Sequence, residues 1–108
     1  MLTDLKLFLG IDAADTDRDP LLNLIIAHTT ARLKRLLGGI DVPQDMQYII
    51  IEVSVIRFNR IGSEGVSSHS VEGESLTFND DDFSGYADDI KAFLEQQKNG
   101  TRGKLRFI

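Results

Sequence analysis

The sequence predicts a mainly α-helical protein. It is a small bundle of about four helices, with a long glycine- and serine-rich loop or β-hairpin arm between the third and fourth. Three observations predict this. Apolar residues recur at spacings of three and four in four separate stretches. Proline, aspartate and glycine punctuate those stretches where helices start and stop. After Ile61, the run from Gly62 to Ser75 is glycine, serine and glutamate with one histidine, His69, and only Val66 and Val71 as apolar side chains, too few to build a core.

The first helix is expected over residues 3–9. Leu2, Leu5, Phe8 and Leu9 fall on one side, and Gly10 stands where a helix can end. IDAADTDRD, residues 11–19, reads as a polar connector. In the second helix Asp19 suits the N-cap, Pro20 the first helical position, and Gly38-Gly39 the stop. Leu22, Ile25, Ile26, Thr29, Leu33, Leu36 and Leu37 keep helical spacing. Leu21 and Leu24 widen the apolar surface at its start, so burial there is expected on more than one side. Arg32, Lys34 and Arg35 lie in the last turns, where cations complement the helix dipole.

The third segment opens at Pro43 and runs to Ile61. Its middle, YIIIEVSVI, is rich in β-branched residues and has strand character. Its length without a breaker exceeds an ordinary strand, which favours a helix. Met46, Ile49, Ile50, Val53, Ile56 and Phe58 form its apolar stripe; Glu52, Arg57 and Arg60 are expected toward the other side. Residues 70–78, SVEGESLTF, alternate weakly about Glu72-Gly73, as a hairpin or extended loop would. Asn79-Asp80-Asp81-Asp82 offer N-cap oxygens to a last helix at roughly 83–98. Phe83, Tyr86, Ala87, Ile90, Phe93 and Leu94 form its stripe, and Asn99-Gly100 its expected end. TRGKLRFI, residues 101–108, is a short basic and apolar tail.

At 108 residues the chain fits a single domain, 1–108, with the arm at about 62–80. An apolar content of 42% and a charged content of 27% are those of an ordinary globular domain. No apolar run approaches the roughly 18 residues a membrane span requires, so no membrane partner is expected. The opening residues lack the basic region of a secretory signal. Without cysteine there is no disulfide framework and no thiolate metal site, which fits a reducing compartment.

The net charge of −5 is unevenly spread. Residues 63–95 carry nine acids and one base, Lys91; residues 96–108 carry four bases and no acid. An acidic middle argues against a protein that coats DNA, since phosphate binding needs a basic face. It suits charge-matched contacts between subunits.

The search for chemistry finds no catalytic constellation. His28 has Leu24 and Arg32 as its i−4 and i+4 neighbours and no partner at metal-ligand spacing, so a structural or surface role is expected. His69 lies among serines, and sequence proximity is no evidence for a triad. A calcium loop starting at Asp80 would need glutamate at the twelfth position, where Lys91 stands. Neither glycine cluster has P-loop or dinucleotide spacing. No catalytic residue, metal site or cofactor is expected.

The stretch IIIEVSVIRFNRIGSEGVSSHSVEGESLTF resembles the head–tail connector proteins of tailed bacteriophages, also called head completion or adaptor proteins. In that family a long helix ends in an R-[FY]-N-R-x-G-S-E-G-like motif, matched here by Arg57, Phe58, Asn59, Arg60, Gly62, Ser63, Glu64 and Gly65. A serine-rich segment and an S-[LY]-[ST]-F-like element follow, matched by Ser67, Ser68, Ser70, Gly73, Ser75 and Phe78. LKLFLGIDAADTDRDPLLNLIIAHTTARLKRLLG is similar to the family's opening, a short helix ending in L-G-I, a D-x-x-x-D-x-L-L connector and a helix. The tail Lys104-Leu105-Arg106-Phe107-Ile108 has no fixed counterpart there.

The resemblance implies a structural virion protein of the head–tail junction, made in the bacterial host cytoplasm or encoded by a prophage. It implies a ring of neighbouring copies docked on the portal protein, contact with a tail or stopper protein, and non-specific contact with passing DNA. The expected interface residues are Arg57, Asn59, Arg60, Gly62, Ser63, Glu64, Gly65, Ser67, Ser68, Gly73, Ser75 and Phe78. The acidic 63–95 region is expected to meet Arg32, Lys34, Arg35, Arg57 or Arg60 of the next subunit. Reversing Arg57 and Arg60 is then expected to weaken assembly more than folding. The alternative from composition is a small acidic helical interaction or regulatory domain without catalytic activity.

Overall fold

A computed structural model describes residues 1–63 and 80–107. Four α-helices follow in order: α1 (Leu2–Leu9), α2 (Asp19–Leu36), α3 (Gln47–Ser63) and α4 (Ala87–Phe107). Single 3₁₀ helices precede α3 (Gln44–Met46) and α4 (Asp80–Tyr86). No strand occurs among the described residues. The glycine- and serine-rich arm, whether loop or hairpin, lies outside them over 64–79.

Three helices, α1, α2 and α3, pack against one another. At about 100° per residue, Leu2, Leu5, Lys6 and Leu9 of α1 share one arc of its surface. Leu5 is fully buried, Lys6 nearly so, and Leu2 and Leu9 partly. Phe8, expected with them, falls outside that arc and is 64% exposed beside Leu7. The helix ends as the sequence suggests. Gly10 takes the left-handed conformation at φ 73°, and the Ile11 amide donates to the Lys6 carbonyl at 2.9 Å.

The connector 11–19 is built from side-chain turns. The Asp12 carboxylate accepts from the Ala14 amide and the Asp15 carboxylate from the Asp17 amide, each at 3.0 Å. The connector is tied back to α1 by the buried Lys6 ammonium, which pairs with Asp19 Oδ1 at 2.9 Å and donates to the Ala13 carbonyl at 3.2 Å. A lysine at 4% exposure needs such partners, because an unpaired buried charge costs several kcal/mol.

In α2, Leu22, Ile25, Thr29 and Leu33 are buried, with Leu37 just beyond the helix. Leu24, expected to help bury the start of the helix on a second side, is 40% exposed. Gly38 and Gly39 adopt φ 90° and 91°, and the Gly39 amide donates to the Lys34 carbonyl at 2.8 Å. Such left-handed values are open to glycine at little strain.

Against this face α3 places Ile49, Ile50 and Val53, and the 3₁₀ turn before it places Met46. The stripe then departs from expectation. Ile56 is 40% exposed, and Ser54 and Arg57 take the inner positions instead. Measured from Val53, Arg57 and Arg60 lie within about 40° of the core-facing direction, whereas Ile56 is turned about 60° to one side and Phe58 farther.

In the second 3₁₀ segment, residues three apart eclipse. Phe83 and Tyr86 therefore share one edge, continued by Ile90 and Phe93 of α4. Phe83 and Ile90 join the Leu33, Leu37, Ile49 and Val53 core, with Tyr86 and Phe93 against it. Two phenols fasten this end: Tyr48 donates to Asp89 Oδ2 and Tyr86 to Glu52 Oε1, each at 2.6 Å, with the rings edge to face at 6.2 Å. From Leu94 to Lys98 every residue of α4 is exposed. The helix passes through Asn99-Gly100, its expected end, and continues to Phe107. A glycine weakens a helix by about 1 kcal/mol but does not by itself stop one.

Candidate functional site

The polar residues buried at the end of α3 form one cluster. Arg57 and Arg60 are three apart on the same face of α3, so both guanidinium groups reach one carboxylate, Asp82. Arg57 Nε donates to Asp82 Oδ2 at 2.8 Å, and Arg60 NH1 donates to the same oxygen at 3.2 Å. Arg60 NH2 pairs with Asp82 Oδ1. Arg57 also donates to Thr29 Oγ1 on α2 at 3.2 Å and lies over the Phe83 ring, 5.4 Å from its centroid. The side chains of Arg57 and Asp82 are each 2% exposed, that of Arg60 31%.

Planar guanidinium groups suit this position because they stay charged, fork onto carboxylate oxygens and stack on aromatic rings. The cluster joins three elements: α2 through Thr29, α3 through both arginines, and the segment before α4 through Asp82 and Phe83. It therefore fixes the two ends of residues 64–79 to one place on the helical body. This is an arrangement for holding, with the charges committed to one another.

Beside the cluster an open cleft of about 430 Å³ is lined by His28, Ala31, Arg32 and Arg35 of α2 together with Arg57. It gives this flank of the body a basic character. Lys34, on the same helix, meets the exposed Asp41 at 3.2 Å. Among the described residues no group of three or more His, Cys, Asp or Glu side chains is placed to hold a metal ion. No helix there is long and apolar enough to cross a membrane.

The expected interface residues divide three ways. Arg57 points inward and Arg60 is half-buried beside it, while Asn59 is exposed on the outer side of α3. Gly62 and Ser63 form the last turn of that helix. Glu64, Gly65, Ser67, Ser68, Gly73, Ser75 and Phe78 lie outside the described residues. The acid expected for Arg57 and Arg60 on a neighbouring subunit is found in their own chain. The expected order of effects therefore reverses for Arg57, whose charge reversal strikes the fold first.

Sequence reasoning treated Asp80-Asp81-Asp82 as cap acids and missed the role of Asp82. Its signal was positional: Arg57 and Arg60 continue the Met46, Ile49, Val53 spacing, so a nearby acid had to answer them. Thr29 was legible as a polar residue on the apolar face of α2.

The D-x-x-x-D-x-L-L connector now has a physical reading: Asp15 makes a turn, and Asp19 neutralises the buried Lys6. The R-F-N-R motif has one too, as the two cations that clasp Asp82. No curated protein and no solved structure matches the chain. The family model described as phage gp6-like head-tail connector protein matches residues 1–93, which include the connector, both arginines and Asp82. The chain belongs to that family, structural proteins of the head–tail junction of the phage virion.

Proposed function

We propose that copies of this chain close into a ring beneath the portal vertex, lengthen the DNA channel and present the surface on which the tail or a stopper protein docks. Residues 64–79 act as an arm gripped by the portal or by a neighbouring copy. The observation that carries this reading is the double clasp of Arg57 and Arg60 on Asp82. It anchors both ends of the arm at one buried point, so a pull on the arm is passed to the helical core.

Charge supports the assembly. A ring requires one patch to meet a different patch on the next copy. The basic flank of α2, with Arg32 and Arg35, and the acidic 63–95 region are such a pair. A net negative protein also suits a channel through which DNA slides, because a basic lumen would retain it. Sedimentation and negative-stain microscopy of the purified chain, alone and with portal, test the reading. Closed rings in at least one condition are expected. A strict monomer in both, or one that instead captures a basic protein, overturns it.

A further inference from the structure

An apolar groove of about 380 Å³ runs between the end of α2 and the start of α4. Leu36, Phe83, Ala87, Ile90 and Leu94 line it, with Asp81 at its edge and Lys91 as the one lining cation among the described residues. Leu94 is 39% exposed, a large apolar side chain left at the surface. On the α4 side, Asp88 and Glu95 are exposed acids next in sequence to the lining residues Ala87 and Leu94.

The same chain carries a segment of matching chemistry. Lys104-Leu105-Arg106-Phe107-Ile108 alternates cations with large apolar residues and belongs to the 96–108 stretch of four bases and no acid. It cannot reach its own groove. Leu94 and Lys104 lie on one continuous helix, α4, ten residues apart. At 1.5 Å per residue the tail begins about 15 Å beyond the groove and is carried away from it. A helix whose sequence is this polar past Leu94 also gains little stability by itself in water. We propose that residues 104–108 of one copy seat in the Leu36–Phe83–Leu94 groove of a second copy. This rests on the ring reading above and assigns the groove and the tail as the two unlike patches of one head-to-tail contact.

The test uses the full chain with Leu105→Asp and Phe107→Asp, which removes competition from the tails of other copies, and a labelled peptide of residues 101–108. Saturable binding is expected. Leu94→Glu added to the chain, at a position already part-exposed, should weaken it about tenfold or more. A peptide with Leu105, Phe107 and Ile108 all changed to Ser, its charge kept, should bind as poorly. No binding, or binding unaltered by either change, overturns the proposal. A second arm separates it from the ring reading. If the chain lacking 104–108 still closes normal rings on the portal, the tail contact is refuted and the ring stands. If the unaltered chain never forms rings while the peptide binds its groove, the contact is supported and the ring reading falls.

Discussion

Replacing Asp82 by Ala should remove a large part of the stability of the fold. The carboxylate is the shared partner of two guanidinium groups. Arg60, 31% exposed, can turn toward water when it is lost. Arg57, 2% exposed and held between Thr29 and Phe83, cannot do so without opening the core. Stranding one member of a buried pair costs about 3–5 kcal/mol. Against a total of roughly 5–15 kcal/mol for a domain, that is between a fifth and nearly all of it. In melting temperature the loss corresponds to roughly 15–30 °C for a chain of this size. Urea unfolding followed by circular dichroism reads it as a shift in midpoint at constant slope. The control is Arg57→Met combined with Asp82→Leu, which removes both charges and keeps the packing on Phe83. That double variant should lie within about 2 kcal/mol of the parent. An Asp82→Ala protein within about 1 kcal/mol of the parent would refute the reasoning, because the clasp would then carry no net weight.

Two further outcomes follow from the same geometry. The hydrogen bond to Asp89, with lesser help from burial, pushes the Tyr48 phenol up to about 12. Burial first and the Glu52 hydrogen bond second do the same for Tyr86. A group raised in the folded state stabilises fully below its unfolded value, here 10.0, and that contribution is lost as pH rises through about 12. The chain has two tyrosines and no tryptophan, so its near-ultraviolet phenolate band reports these groups alone. Near pH 10 the band should be almost absent in the folded protein and half-developed in urea; equal titration in both states would contradict the two contacts. Gly39→Ala should cost about 1–2 kcal/mol in the same urea assay. The φ of 91° is left-handed and a new Cβ meets nothing within 4 Å, so the loss is of backbone origin alone. A neutral result would mean the turn after α2 adopts another conformation.

Most of the helical frame was legible because its punctuation acts locally. Gly10 and Gly38-Gly39 take the left-handed values that glycine alone adopts cheaply, and Pro20 opens α2. The four buried positions Leu22, Ile25, Thr29 and Leu33 follow directly from helical spacing. What misled was the assumption that charge faces outward. Lys6, Arg57 and Asp82 are buried because each meets an opposite charge distant in sequence, and such a pairing cannot be read from either residue alone. Polarity likewise hid the length of α4, whose far half lacks an apolar stripe to declare it. Of the expected interface, the residues on α3 could be placed, while those of the arm lie outside the described residues.

The central claim is that residues 64–79 are held by other polypeptides in the assembled particle while the clasped base stays fixed. Amide hydrogen exchange of the free chain and of the chain assembled on the portal tests this most directly. Slow exchange at residues 49–60 in both states, with protection of 64–79 rising on assembly, is the predicted result. Equal, strong protection of 64–79 before and after assembly would contradict the account.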